Sequence, residues 1–587
     1  MNGQEAKPPP RFKIPLRREQ IETSSMSHAD AVDKVLEIAR RRGFFWPAYE
    51  PYGGSAGLFV FGDLGVRLRE KIEGLWRETF VRPHDFVEID GPELMPEQVL
   101  EASGHVANFK DPLAECLSCH RRFRADHLLG EAGIHVQEGT PPHEMEGRLN
   151  EGRVSCPECG HARWSVKPFL TMFQTSIGPY GEASGYLRPE TAQNIFVEFK
   201  RIFEVSRGRM PLGVAQVGRG FRNEISPRQS LVRMREFHMA EVELFFDPER
   251  PGCQHFAYVA EEPLDLVTEG SIEAGREEVT RVSAREALAK GIIRTEWLAY
   301  FMALSKLFLV RLGVPEDRQR FREKVKGERA HYSAQTFDHE VLIEGYGWVE
   351  VAGHAYRTDY DLTSHMKKTG VDYSVSLQLD APRRSTKVVW SLDARRVKER
   401  HPNSWRPILE AYGKIGEGGR EGEPPTHLAG VKLDPSVVVV NRKEEVISSK
   451  KVVPHVVEPS FGLDRLTLAC MVYAYSQVED RVVMKIPRAL APLQVGVFPL
   501  VAKAEMVEKA KEVQLKLEAE GMDTLYDDSG TIGRRYARAD EAGLPLAVTV
   551  DGQTLEKGTV TVRDRDTWKQ VTVGLGELAQ RLKEMLS

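Results

Sequence analysis

Two strand-patterned segments, GVAQVGRGFRNE (Gly213–Glu224) and HMAEVELFF (His238–Phe246), flank a loop crowded with charge. Alternating apolar positions on both sides of a short polar connection predict an antiparallel pair, so the chain is expected to be built on antiparallel sheet. The loop carries Arg222, Arg228, Arg233 and Arg235, two carboxylates in Glu224 and Glu236, and then Phe237. Such a run reads either as a solvated hairpin or as a nucleotide clamp. In a clamp, guanidinium forks meet phosphate oxygens and the aromatic offers a purine a stacking face.

The rest of the chain narrows the class. Its 587 residues, 41% hydrophobic and 28% charged, describe soluble material of several domains. A net charge of -5 does not advertise nucleic-acid binding, although a local basic face can still hold an RNA backbone. The most apolar run, WLAYFMALSKLFLVRLG (Trp297–Gly313), contains Lys306 and Arg311 and is short for a membrane span, so it reads as a buried helix. The N-terminus lacks a secretory core, and acids interrupt any transit-peptide pattern. Residues 1–25 are expected to be a flexible extension, with Met26 a possible second start before the helical pattern AVDKVLEIARRRG. Six cysteines, four in two CxxC pairs, suit a reducing compartment, and the expected location is the cytoplasm, away from membranes.

Along the chain, a helix (VRLREKIEGLWRETF) leads into the strand VEIDGPELM. Residues 106–165 hold the cysteine pairs in a loop-rich insertion. Residues 247–335 and 386–432 are expected to be helical insertions. VVPHVVEPSFGLDR reads as a strand, a Pro/Gly turn and a helix, with Arg465 in that helix's first turn. Residues 489–587 alternate strand and helix around the turn SGTIGRRYARADEAG and form a separate α/β domain.

Cys116, Cys119, Cys156 and Cys159 offer four thiolates to one tetrahedral ion, as structural zinc requires, or stand as two reduced pairs. The 36 residues between the pairs exceed the roughly 15–20 of a zinc ribbon, so the loop makes an excursion. His120 and His161 offer substitute ligands, but histidines beside such loops read more simply as bystanders, and Cys253 and Cys470 are isolated thiols. Three further acids stand out: Glu190 in a turn, Glu241 on a strand and Glu458 before a turn. Buried together, they would need a cation.

LRPETAQNIF, GRGFRNEISPRQSLVRMREFHMAEVE, GWVEVAGHAYRTDYDL, VVEPSFGLDR and SGTIGRRYARADE, in that order, resemble the class II aminoacyl-tRNA synthetases, and among them the homodimeric glycyl-tRNA synthetase type. The resemblance covers nearly all of the chain after the extension. It implies an α+β fold, with an antiparallel-sheet catalytic core bearing insertions (residues 26–488) and a C-terminal anticodon-binding domain. It also implies glycine activation with ATP and Mg2+, then transfer to tRNA(Gly). By the resemblance, Arg222, Glu224 and Arg465 are catalytic, and Asn223, Arg233, Met234, Phe237, Glu350, Val351 and Gly462 join them at ATP. Arg124, Glu190, Glu241, Glu458 and Ser460 line the glycine site. Residues 66–95 supply the dimer interface, with Pro92 as its proline. Synthetases for threonine, proline or histidine, and a non-catalytic synthetase-like protein, are the competing readings. GDLG at Asp63 departs from the family's GPLG.

Overall fold

The computed structural model describes residues 31–586 apart from 135, 137, 138, 180–182, 228 and 416–421. The expected extension, residues 1–25, and Arg228 lie outside the described residues. The chain divides into two compact units, one running to Tyr373 and resuming at Pro454, the other spanning Ser374–Val453.

The larger unit centres on a nine-stranded sheet. In chain order its strands are β1 (Val87–Glu88), β2 (Leu212–Phe221), β3 (Glu236–Phe246), β4 (Pro263–Val267), β5 (Val279–Ser283), β6 (Gln319–Glu323), β7 (Gln335–Ile343), β8 (Gly347–Thr358) and β9 (His455–Gly462), and in space they run β5-β4-β6-β7-β8-β9-β3-β2-β1. Neighbours are antiparallel except β1 with β2 and β4 with β6. The hairpin read from the sequence is β2 and β3, whose register sets Gln216 against Glu241 and Gly220 against Phe237. One face of β3 (Ala240, Val242, Leu244, Phe246) joins the main core. On the other, Phe245 packs against Phe196 and Phe199 of helix α1 (Ala192–Val205), with ring centroids 5.9 and 4.3 Å apart.

Four expectations are corrected. Residues 247–335 are not a helical insertion, because they supply β4, β5 and β6 to the main sheet. Only the apolar run is the buried helix expected, α2 (Glu296–Arg311), capped by the Thr295 hydroxyl. EPSFG is not a turn: β9 runs through it, and Pro459 stands level with His354 on β8. The ladder from β9 to β3 pairs Ser460 with Glu241 and Val457 with Leu244 but skips Glu458 and Pro459, as a residue without an N–H dictates. The helix α3 (Leu463–Ala474) follows, with Arg465 in its first turn. SGTIGRRYARADEAG is also more than a turn, since Ile532–Glu541 is a helix.

The smaller unit, expected to be helical over 386–432, is a long antiparallel hairpin (Val375–Leu392 with Val438–Val452) carrying two short helices, Ala394–Arg400 and Trp405–Lys414. Near the C-terminus a five-stranded sheet has three parallel and two antiparallel-paired members, with a core of Val, Leu and Ala from residues 495–582. It belongs to the larger unit and packs on the unit's N-terminal helices: Arg41 and Arg42 meet Glu541 at 3.0 and 2.5 Å, and Lys71 meets Asp523 at 2.9 Å. No described helix is long and apolar enough to cross a membrane.

Candidate active site

The β2–β3 hairpin ends at the mouth of a cavity of about 980 Å³. Backbone pairing continues one residue past β2, where the Arg222 N–H donates to the Arg235 carbonyl at 2.9 Å. The loop is also pinned from outside. Gly57, at φ +77°, accepts from the Arg235 N–H at 2.8 Å, and a Cβ there would sit 2.7 Å from Pro227, so the YGGSAG turn closes on the loop only because Gly57 is glycine. Gly220 similarly leaves room for the ring of Phe237, which its Cβ would approach to 2.7 Å.

At this end of the cavity the Arg222 guanidinium lies 5.3 Å from the ring centroids of both Phe237 and Phe109. Arg465 donates through Nε to the Val232 carbonyl at 2.9 Å and through Nη1 to the Glu350 carbonyl at 2.7 Å and carboxylate at 3.2 Å. Burial would raise the Glu350 carboxyl, but Lys324, Arg465 and Arg222 outweigh it and bring it to about 2. Arg233 meets Glu224 at 4.0 Å and stays partly exposed. Met234, Val351 and Gly462 complete this wall.

The other end is a pit of carboxylates. Glu241, 2% exposed, accepts from the Thr191 N–H and hydroxyl on one oxygen and from the Ser460 hydroxyl, 2.7 Å away, on the other. Glu190 accepts from Gln193 at 3.1 Å and has His105 Nε2 at 3.3 Å. Glu458 accepts from Arg357 at 2.9 Å, and Arg357 grips Asp361 through two bonds of 2.8 and 2.9 Å. Burial favours neutral acids here, and the local charges sort them. His105 and Arg357 overcome burial and hold Glu190 well below the usual carboxylate range. Burial and the charge of Glu190 push Glu241 up. Burial carries Glu458 to about 7 in spite of Arg357, with Glu241 and Glu190 adding to the rise.

Fourteen of the fifteen residues assigned from the resemblance to ATP or the amino acid line this one cavity, Arg124 among them. Asn223 does not; its N–H is tied to the Thr171 carbonyl at 2.7 Å. Glu458 lies on a strand rather than before a turn. Arg357 and Asp361, which tie the pit together, are not among the residues the sequence singles out. Their signal was an Arg and an Asp four residues apart at a strand-to-helix junction, inside a segment used only for Glu350 and Val351.

The four cysteines also converge. A three-stranded sheet (Arg122–Arg124, Lys110–Cys116 and Trp164–Leu170) brings their Sγ atoms within 4.8 Å of one another. Cys116 and Cys159 are 3.6 Å apart, and Cys119 and Cys156 3.7 Å. A tetrahedron with metal–sulfur bonds of about 2.3 Å has edges of about 3.8 Å, so the spacing fits a zinc ion. Neither histidine joins this cluster, and His120 faces Glu115 at 3.2 Å. Cys253 and Cys470 are buried, and burial raises both thiols. The same sheet holds Arg124, which donates to Asp111 at 3.0 Å and to Asp126 at 2.6 Å at the cavity edge.

Comparison with known proteins bears on both the C-terminal sheet and the whole chain. Residues 494–585 match the anticodon binding domain family. The glycine-tRNA ligase of Aeropyrum pernix is 47% identical over 570 residues, spanning 95% of this chain and 97% of its own. Those of Pyrococcus horikoshii and Methanocaldococcus jannaschii are 44% and 41% identical, each over 95% of this chain and 99% of their own. With that identity carried across nearly the full length, on a class II antiparallel core and an anticodon-binding domain, the chain belongs to the glycine-tRNA ligase family.

Proposed function

We propose that the protein activates glycine with ATP and transfers the glycyl group to tRNA(Gly). The observation that carries this reading is the placement of a buried carboxylate pit beside an arginine-lined wall in one cavity. An ammonium group suits the pit, because Glu190, Glu241 and Glu458 are already held by internal hydrogen bonds and need little reorganisation to receive it. Those same bonds resist displacement by a methyl group, so alanine is refused sterically. Nothing smaller than glycine competes, and selectivity needs no editing site.

In the first step a glycine carboxylate oxygen attacks the α-phosphorus of ATP, the bond to the bridging oxygen breaks, and pyrophosphate leaves. Arg222 meets the charge growing on the α-phosphate, Phe237 stacks on adenine and Glu224 orients its amine. Arg233 and Arg465 hold the outer phosphates. Glu350 suits Mg2+, whose part is to neutralise phosphate charge. In the second step a hydroxyl of the terminal tRNA ribose attacks the glycyl carbonyl and AMP leaves. Positioning and charge stabilisation suffice for both steps.

Residues 489–587 read the anticodon. In this domain Arg535 is buried and spent on the Pro499, Asp528 and Gly530 carbonyls, which leaves the exposed Arg534 of the same helix for RNA. Zinc at the four cysteines is structural. The enzyme works as a cytoplasmic homodimer through residues 66–95, where β1 forms the edge of the main sheet. Pro92 gives its carbonyl to Asn194 at 3.0 Å, which fixes the segment after β1. Purified protein given ATP, Mg2+, labelled glycine and tRNA(Gly) is expected to yield labelled tRNA and AMP. Label that stays off the tRNA contradicts the assignment. Sedimentation at a mass of one chain contradicts the dimer.

A further inference from the structure

Glu243 has no assigned role, yet it is fully buried, and neither carboxyl oxygen has a hydrogen-bond donor among the described residues. It lies two residues beyond Glu241 on β3, on the same face. The register of β3 with β9, Glu241 with Ser460 and Leu244 with Val457, brings Glu243 level with Glu458 at the point where Pro459 interrupts the ladder. The remaining surroundings are limited. β2 sets Val214 opposite, and α1 covers the same face of β3 with Phe196 and Phe199 at Phe245. The charged groups facing Glu243 are Glu458 from β9, Arg357 from β8, Asp361 from the helix that follows β8, and Glu241 from its own strand.

Two carboxyl groups level with each other on neighbouring strands, both out of water, cannot both be ionised at modest cost. Arg357 decides between them, since it donates to Glu458 at 2.9 Å. We propose that Glu243 stands as a neutral acid whose O–H bonds to the Glu458 carboxylate, making it a positioning residue that keeps Glu458 anionic and oriented toward the amino-acid pit. The proton stays on Glu243, and no bond is made or broken during turnover. A neutral donor explains why a carboxyl group without a donor of its own is tolerated there. Burial and the charge of Glu458 push the Glu243 carboxyl well above its ordinary range, in the same direction. The inference rests on the assignment of the pit to glycine.

The test compares Glu243→Gln, which keeps a donor, with Glu243→Leu, which does not, in full-length protein. ATP-pyrophosphate exchange at pH 8 is read separately against glycine and against ATP. Glu243→Gln is expected to stay within about twofold of the wild type, and Glu243→Leu to raise the glycine KM about 10-fold or more with the ATP KM unchanged, the loss of a hydrogen bond to a charged group. Equal damage from both variants, or no effect of leucine, overturns the proposal. If the leucine variant does not fold, infrared difference spectra of wild type and Glu243→Gln at pH 8 decide. A protonated-carboxyl C=O stretch present only in the wild type supports the proposal, and its absence overturns it. Wild-type enzyme whose exchange ignores glycine would instead sink the assignment of the pit.

Discussion

Glu241 has both carboxyl oxygens engaged by Thr191 and Ser460 and is 2% exposed, while Arg233, in the same cavity, meets Glu224 at 4.0 Å and keeps 34% of its side chain exposed. The contrast holds along both walls. Arg357, the cation beside the pit, is fully buried and bonded to Glu458 and Asp361, whereas Arg465, on the arginine wall, is 30% exposed. On the proposed assignment, the glycine ammonium is met by groups fixed beforehand by their neighbours. On the same assignment, the polyphosphate is met by long side chains still partly in water, which gain their strength when it displaces that water. Substitutions in the pit should therefore register as glycine affinity, and substitutions on the arginine wall as rate.

The largest separation is expected from Arg222→Gln. Removing a donor aimed at charge that grows in the transition state should lower kcat for adenylate formation roughly 100- to 1000-fold, with the glycine KM little changed. A variant that loses glycine affinity instead would erase the distinction between the walls. Glu241→Gln keeps shape and removes charge, so it should raise the glycine KM about 10- to 150-fold and leave the ATP KM nearly alone. A rise in the ATP requirement would move the acids to the nucleotide or its metal.

Cys156→Ser probes a support shared by the cavity edge. Metal content should fall below one zinc per chain, residues 106–165 should become more susceptible to protease, and activity should drop through Arg124 by less than the ~100-fold of an ångström-scale misplacement. Full activity with no metal in carefully purified wild type would remove zinc from the account.

The pH dependence sharpens the comparison further. Burial pushes the Glu458 carboxyl up to about 7, and an ammonium beside it favours the ionised form, so binding glycine expels a proton only below that pH. The glycine KM should rise as pH falls below about 7, by up to roughly tenfold per unit, and be flat above it. The ATP KM should not follow, because the Glu350 carboxyl is already ionised across that range. A parallel rise in both would show that the ends do not titrate independently. The smallest effect belongs to Asp63, outside both ends. It opens the helix Asp63–Trp76 and pairs with the exposed Arg67 at 3.1 Å, so Asp63→Pro, restoring the family's residue at a first helical position, should shift stability by less than about 1 kcal/mol and leave both KM values unchanged.

Much of this contrast was legible in the residues. The hairpin was visible because β2 and β3 alternate cleanly around a charged loop, and the acids were found through the motifs that carry the resemblance. β6 was not visible, because its inward positions are Gln319, Phe321 and Glu323, and two buried polar residues in five conceal the alternation. Both arms of the smaller unit's hairpin show as strand pattern, in VDYSVSLQLD and PSVVVVNRKEEVI, but the run of the first arm on to Leu392 is hidden by the polar stretch RRSTK at residues 383–387. The strand through Pro459 resembles a turn in sequence because proline and glycine usually end strands, and only the skipped ladder at that point permits this one. Arg357 escaped because a buried arginine is recognised by its partners, and Asp361, Glu458 and Tyr332 come from three different segments.

The most direct measurement is ATP-pyrophosphate exchange by the purified full-length protein, without tRNA, supplied in turn with glycine, alanine, serine, threonine, proline and histidine. The carboxylate pit predicts exchange with glycine and none above background with the others, alanine included. Exchange supported by alanine, threonine, proline or histidine, or equal with and without any amino acid, would contradict it.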